Sequence, residues 1–237
     1  MFTSHARNSK FVPWASEVAF GMDETGLPPV VLTLHDGRQI ALRGVIDRID
    51  RYEGDKGLYL RVIDYKSSRH APDPVRMWYG LQLQLLLYLK AASQGVKNAN
   101  PAGAFYFTVR DPIIESPDDV RETAERAIAK ALQLKGVVLA DAEIVDAMDS
   151  DIPGYSVGKV FNSDGSVSAY ANALDLEQMQ DLLTHAESKA AELADGIRAG
   201  DIAVSPASTG QWTACTFCDY AAICRRDGTL PRAKLKQ

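Results

Sequence analysis

Two apolar stretches joined by a short polar link constrain this chain more than any other feature. QIALRGVIDRIDRY (39–52) and LYLRVIDYK (58–66) are separated only by EGDKG. Runs rich in branched and aromatic residues read as strands, and a link that short turns one strand back antiparallel on the other. VVLTL (30–34), joined through the turn HDGR, adds a third strand, so an antiparallel meander is expected. Side chains alternate between the two faces of a strand, which puts Leu58, Leu60, Val62, Asp64 and Lys66 on one face. An otherwise apolar row therefore ends in an acid and a base. Asp47, amid the apolar residues of GVIDRID, lies where pairing would bring it toward Asp64.

Two carboxylates side by side do not both ionise cheaply unless a cation joins them. A divalent metal resolves the conflict, because the carboxylates of Asp47 and Asp64 and the main-chain oxygen of Tyr65 are hard oxygen donors suited to Mg²⁺. Metal-bound water gives up a proton more readily, and Lys66 is placed to orient it or to offset charge building on a phosphate. The plainer alternative is a solvent-facing ion pair at a strand end, worth little. A bare D-x-K pattern is too short to decide between them. Asp47 has the alternative of a turn residue, and Asp50 is expected to be a solvated strand-end charge.

The remaining order of elements indicates an α/β domain. An irregular opening ends at Pro28-Pro29, and residues 67–74 form a loop rich in Ser and Pro. MWYGLQLQLLLYLKAAS (77–93) reads as one buried helix, AGAFYFTVR (102–110) as a strand, and 118–134 as an amphipathic helix with acidic residues in its first turn. A short helix follows at 141–149, then a hairpin around SVGKVFNSDGSVSAYA, then a long helix at 175–200 ending on Gly200. The chain divides into a core at about 17–110, a helical insertion at about 111–200 and a cysteine-bearing cap at about 205–227, within one domain of 237 residues.

GVIDRID, VIDYKSS and YGLQLQLLLY, in this order and spacing, resemble the RecB-like nuclease family of the PD-(D/E)XK superfamily. The resemblance implies a central mixed sheet flanked by helices and a metal-dependent DNA exonuclease using Mg²⁺ or Mn²⁺. It implies that Asp47 and Asp64 bind metal, that Lys66 acts on the attacking water, and that a glutamine of the next helix organises the site. Gln82 and Gln84 compete for that place. Gln82 is preferred for its distance from Tyr79-Gly80, while Gln84 forms Q-x-x-x-Y with Tyr88. On one continuous helix, residues two apart point about 200° away from each other, so only one faces the sheet end. The family often carries an upstream acid or histidine at the metal, and Glu17 in SEVAFG is the candidate, with a plain surface charge as its alternative. Of the histidines, His5 reads as terminal, His35 as a turn residue, His70 as a loop residue beside the site, and His185 as uninvolved in catalysis.

FYF followed by RDP, LQLKGVVLADAEIVDAMD and the cysteine tail narrow the resemblance to the nuclease domains of bacterial AddB-type helicase–nuclease proteins, from about Glu17 to about Asp227. That implies DNA and an AddA-type subunit as partners, double-strand-break processing and recombinational repair as the setting, and action on the 5′-terminated strand. Cys215, Cys218 and Cys224 lie within ten residues, a poor disulfide framework and a better metal-ligand pattern in a reducing compartment. The resemblance implies a [4Fe–4S] cluster completed by an upstream cysteine. No cysteine precedes Cys215. Either this chain is a piece of a longer protein that supplies the fourth ligand, which is the favoured reading, or the cluster has lost a ligand. In both cases the cluster is expected to be absent here.

A charge of −5 argues against binding nucleic acid by charge neutralisation alone, though not against an enzyme whose metal supplies positive charge locally. Weak, salt-sensitive DNA affinity is therefore expected. No apolar run reaches the roughly 18 residues of a membrane span, and MFTSHARNSK lacks the apolar core of a signal peptide, which points to the cytoplasm. Two rival readings are a nuclease-fold scaffold that binds DNA or a partner without cutting, and a stand-alone RecB-like exonuclease with an iron–sulfur cluster. Intact Asp47, Asp64 and Lys66 oppose the first, and the KGVVLADAEIVDAMD segment and the missing cysteine oppose the second.

Overall fold

The computed structural model describes residues 8–22, 26–68, 70–110, 127–151, 154–209, 212–216, 218–224 and 233–234. A mixed six-stranded sheet organises them. Its strands are β1 (Val12–Phe20), β4 (Gly44–Gly54), β5 (Gly57–Lys66), β6 (Ala99–Thr108), β7 (Lys135–Leu139) and β8 (Ala173–Leu174), adjacent in that order. β4 and β5 are the expected antiparallel pair, and β6 returns parallel to β5. A separate hairpin of β2 (Val30–Thr33) and β3 (Gln39–Leu42) stands outside this sheet.

The stretch 39–52, expected as one strand, is thus split at Arg43 and serves two sheets. Gly44 opens the second part opposite Phe20, where a Cβ would lie 2.8 Å from the Phe20 ring. The irregular opening contains a strand as well. β1 is an edge strand with most of its side chains exposed, so it lacks the apolar alternation that marks a half-buried strand. Pro13 is tolerated there because an edge leaves one side of the backbone unpaired. KGVVL, not assigned a strand from sequence, is β7, and with β8 it brings the expected helical insertion into the same sheet.

Helices α1 (Pro74–Trp78) and α2 (Gln84–Gly95) replace the single helix expected over 77–93. Asp73 caps α1 by accepting from the amides of Val75 and Arg76, with Pro74 just inside. Gly80 breaks the run with φ +82°, a left-handed conformation that costs a residue with a side chain about 1–2 kcal/mol. α2 then packs on β5, β6 and α4 (Leu176–Ala199) through Leu85, Leu86 and Leu89. A capping box of Asp175 and Gln178 starts α4, and left-handed Gly200 ends it. The opposite face of the sheet is covered by α3 (Ala142–Met148) and by Phe11. Residues 127–131 are helical, whereas the start of the expected 118–134 helix lies outside the described residues. The expected hairpin survives as a bridge between Phe161 and Val167. Among the described residues no helix is long and apolar enough to cross a membrane.

Candidate active site

β4 and β5 bring Asp47 and Asp64 together. Arg48 pairs with Ile63 and Ile49 with Val62, so the register continues to set Asp47 level with Asp64 on one face. The amide of Tyr65 donates to Asp47 Oδ2 at 2.7 Å, which fixes that carboxylate across the strand gap. Asp64 is 3% exposed. Its Oδ2 lies 2.6 Å from Lys66 Nζ yet accepts no well-directed hydrogen bond, so this is a close ion pair without hydrogen-bond geometry.

Lys66 is held from further sides. Its Nζ donates to Gln84 Oε1 at 3.1 Å and sits 5.6 Å from the centre of the Tyr106 ring, within cation–π reach. Gln84 in turn donates to Tyr88 Oη at 3.0 Å. Residues four apart on a helix are neighbours, so the Q-x-x-x-Y pattern forms a polar row from α2 to the strand end. Gln82, the residue preferred from sequence, does not reach Lys66. It precedes α2, accepts from the Asp73 amide at 2.8 Å and braces the loop at Ala71. The two-apart helix argument fails because Gln82 is outside the helix.

Tyr106 is a component that the sequence alone did not single out. Parallel pairing puts it beside Asp64 on the same face. Burial first, and then the charge of Asp64, push its phenol above the ordinary range, so it stays neutral. Its only signal was the aromatic run FYF in a strand following the site. His70 lies in the adjoining loop with its ring 5.6 Å from that of Tyr106 and its Nδ1 beside Ser68. Thr108 and Lys135 extend the same face, paired with Lys66 and Tyr106.

Glu17 is exposed on β1, and the flanking pairs Ser16–Arg48 and Val18–Ile46 set it level with Asp47. Its φ of +51° is left-handed, which is uncommon for a residue with a side chain. Among the described residues no three His, Cys, Asp or Glu side chains converge closely enough to hold a metal, so Glu17 is not drawn into the Asp47–Asp64 pair. Two carboxylates nevertheless suit Mg²⁺, which keeps several waters and commonly uses one or two carboxylates. The buried Asp64 carboxylate, whose Oδ2 meets Lys66 without hydrogen-bond geometry, is the specific sign that the donors fit such an ion.

The cysteines do not fit a cluster in the same way. Cys215 is half-buried, Cys218 and Cys224 are exposed, and the three are not gathered as a ligand group. His35 caps nothing catalytic, its amide bonding Asp195, and His5 lies outside the described residues. His185 stacks on exposed Trp78 at 3.9 Å and contacts the Trp78 carbonyl.

Asp50 is the plain correction. Expected to be solvated, it is fully buried on the opposite sheet face, held by Arg48 and Arg61. Period-two alternation already separates it from Asp47, but nothing in the sequence shows that two arginines converge on it.

Comparison with known proteins agrees with this architecture. The PD-(D/E)XK nuclease superfamily matches residues 2–225. The chain is 37% identical over 232 residues to an ATP-dependent helicase/deoxyribonuclease subunit of Thermoanaerobacter sp. (strain X514), covering 95% of this chain. It is 40% identical over 228 residues to the helicase/deoxyribonuclease subunit of the same name from Clostridium tetani, covering 93% of this chain. The one from Moorella thermoacetica is 40% identical over 239 residues, covering 98%. The matched region spans only 20–21% of the length of these relatives.

Proposed function

The chain belongs to the PD-(D/E)XK nuclease superfamily, and from that premise we propose that it is a metal-dependent deoxyribonuclease domain acting at Asp47, Asp64 and Lys66. The observation that carries this reading is the buried Asp64 carboxylate, level with Asp47, with the Lys66 ammonium 2.6 Å from its Oδ2. Asp47, Asp64 and the Tyr65 carbonyl would hold Mg²⁺ or Mn²⁺. When bound, that ion supplies Lewis acidity toward a phosphate oxygen and lowers the pKa of a coordinated water.

The chain's own groups do the rest. Lys66, oriented by Gln84 and Tyr106, directs a water proton or offsets charge on the phosphate under attack. The Tyr65 amide keeps Asp47 aimed at the same point. Tyr88 holds Gln84 in place through its hydroxyl. Glu17 serves as an additional acid near the edge of the site, level with Asp47.

The relatives are named as helicase/deoxyribonuclease subunits, which supports DNA as substrate and an AddA-type helicase subunit as partner. Double-strand-break processing on the 5′-terminated strand in the cytoplasm, with 5′-phosphate products, is the corresponding setting. The decisive test is cleavage of end-labelled single-stranded DNA with Mg²⁺ or Mn²⁺, against EDTA and the Asp64→Ala and Lys66→Ala proteins. Metal-dependent cutting lost in both variants supports the reading. Cutting that persists in both puts the chemistry elsewhere, and binding of DNA without any cutting favours the scaffold reading.

A further inference from the structure

The face of the β4–β5 pair turned away from the carboxylates contains a buried charge cluster. Asp50 is fully buried, Arg61 is 2% exposed and the Arg48 side chain is 17% exposed. Both Asp50 oxygens are engaged: Arg48 Nε approaches Oδ1 at 2.5 Å and its Nη2 reaches Oδ2 at 2.9 Å, while Arg61 Nε and Nη2 each lie 2.9 Å from Oδ2. The Phe11 ring covers the Arg61 guanidinium at 4.8 Å. Burial weighs against the charge on both arginines. For Arg48 the hydrogen bonds and charge of Asp50 outweigh it, whereas Arg61 is held below its ordinary value.

Such clusters are costly to desolvate, and apolar residues of similar volume often serve stability as well or better. Their best-attested use is to fix register, and the location here suits that use. Asp50 and Arg61 are direct cross-strand partners, three residues along from Asp47 and Asp64. A slip of one residue would send every side chain of a strand to the other face and separate the two carboxylates. Arg48 also contacts Tyr65 Oη at 3.4 Å, and Arg48, Arg61 and Tyr65 line one cavity of about 20 Å³. Tyr65 is the residue whose amide fixes Asp47.

We propose that Arg48, Asp50 and Arg61 are positioning residues, a register lock that keeps Asp47 and Asp64 level and steadies Tyr65 from behind, so that the carboxylate pair binds metal tightly. This rests on the nuclease reading above and adds a requirement for residues that touch neither metal nor DNA.

The test measures Mn²⁺ affinity from the electron paramagnetic resonance of the free ion, with the melting temperature of each protein alongside. An Asp47→Asn/Asp64→Asn protein assigns the binding to this site. Asp50→Asn strikes the centre of the lock but leaves two arginines poorly compensated. Arg48→Met leaves Asp50 and Arg61 charge-balanced but removes the cluster's bond to Tyr65, the link through which the lock reaches Asp47, so it tests the lock without stranding a buried charge. Val138→Ala, in buried β7, is the control for lost stability alone. Removal of groups that support metal ligands typically weakens binding about 10–100-fold, and a loss of about 10-fold or more is expected in Arg48→Met, with none in Val138→Ala. An unchanged Mn²⁺ affinity in Arg48→Met, with the unmodified protein binding and cutting, overturns the lock and leaves the nuclease reading standing. An unmodified protein that binds no Mn²⁺ overturns both.

Discussion

Lys66 is oriented by three unlike groups: the Asp64 carboxylate, the Gln84 amide oxygen and the Tyr106 ring. An ammonium on a four-carbon stem is otherwise mobile, so these contacts decide where its protons point. The amide contact is the one that can be removed without disturbing charge. A hydrogen bond to a charged group is worth about 1.5–3 kcal/mol, so Gln84→Ala should slow cleavage about 10–100-fold at saturating Mn²⁺. Gln82→Ala should leave that rate near its unmodified value, because its bonds go to the Asp73 amide and the Ala71 carbonyl. Single-turnover rates on one labelled strand compare the two directly. Equal losses, or a larger loss in Gln82→Ala, would contradict the assignment of Gln84 to the centre.

Gly80 decides where the expected single helix divides, and so how α2 presents Gln84. Its φ of +82° is left-handed, and an added Cβ would lie 2.8 Å from Lys189 Cγ and 3.2 Å from Leu193 Cδ1, so α4 side chains would have to shift as well. Gly80→Ala should therefore cost at least about 1–2 kcal/mol, the backbone share alone, with the clash adding to it. Urea denaturation checks this, and an unchanged midpoint would show that the break does not depend on glycine. At the start of α3, Asp141 caps the helix through the Glu143 amide and meets Lys56 at 2.7 Å. The Lys56 hydrogen bond comes first among the causes that hold its carboxyl below the ordinary value of 3.8. A depressed carboxyl stabilises the fold above its unfolded value and loses that contribution as pH falls through the folded one. The unmodified protein should exceed Asp141→Ala by about 1 kcal/mol near neutral pH. The gap should close below the ordinary carboxylate range, and one that persists in acid would assign it to packing instead. These elements also mark what the sequence could reveal. The β4–β5 pair, β6, α3 and α4 were legible because alternation, caps and a terminal glycine report local preferences. β1 and β7 were not, since an edge strand is largely exposed and a five-residue apolar run has no periodicity of its own. The shared face of Asp64 and Lys66 was legible from alternation, and the placement of Asp47 beside Asp64 from the expected strand pairing, whereas the partners of Asp50 come from residues that only tertiary packing assembles.

At the scale of the whole molecule, the proposed activity requires an acidic chain to admit a polyanion. The net charge is −5, and the two carboxylates at the centre repel a phosphate unless a cation lies between them. Metal and DNA should therefore bind cooperatively, each improving the site for the other, as linkage requires. Removing the donors should abolish this coupling. In EDTA, Asp47→Asn/Asp64→Asn should bind a single-stranded oligonucleotide more tightly than the unmodified protein, because two negative charges are gone and Lys66 loses its counter-ion. With Ca²⁺, used to allow binding without rapid cutting, the order should invert, because only the unmodified protein retains the donors that hold the ion. Fluorescence anisotropy with one labelled oligonucleotide at fixed salt measures both conditions. Dissociation constants in the range of about 10⁻⁴–10⁻⁶ M are expected at physiological salt for contacts limited to the backbone. If the double variant binds more weakly than the unmodified protein even in EDTA, the carboxylates contact DNA in some other way, and the metal-bridged arrangement at Asp47 and Asp64 fails. If the order inverts as expected, the acidity of the chain becomes part of its control: without a divalent ion the site rejects the strand that it would otherwise cut.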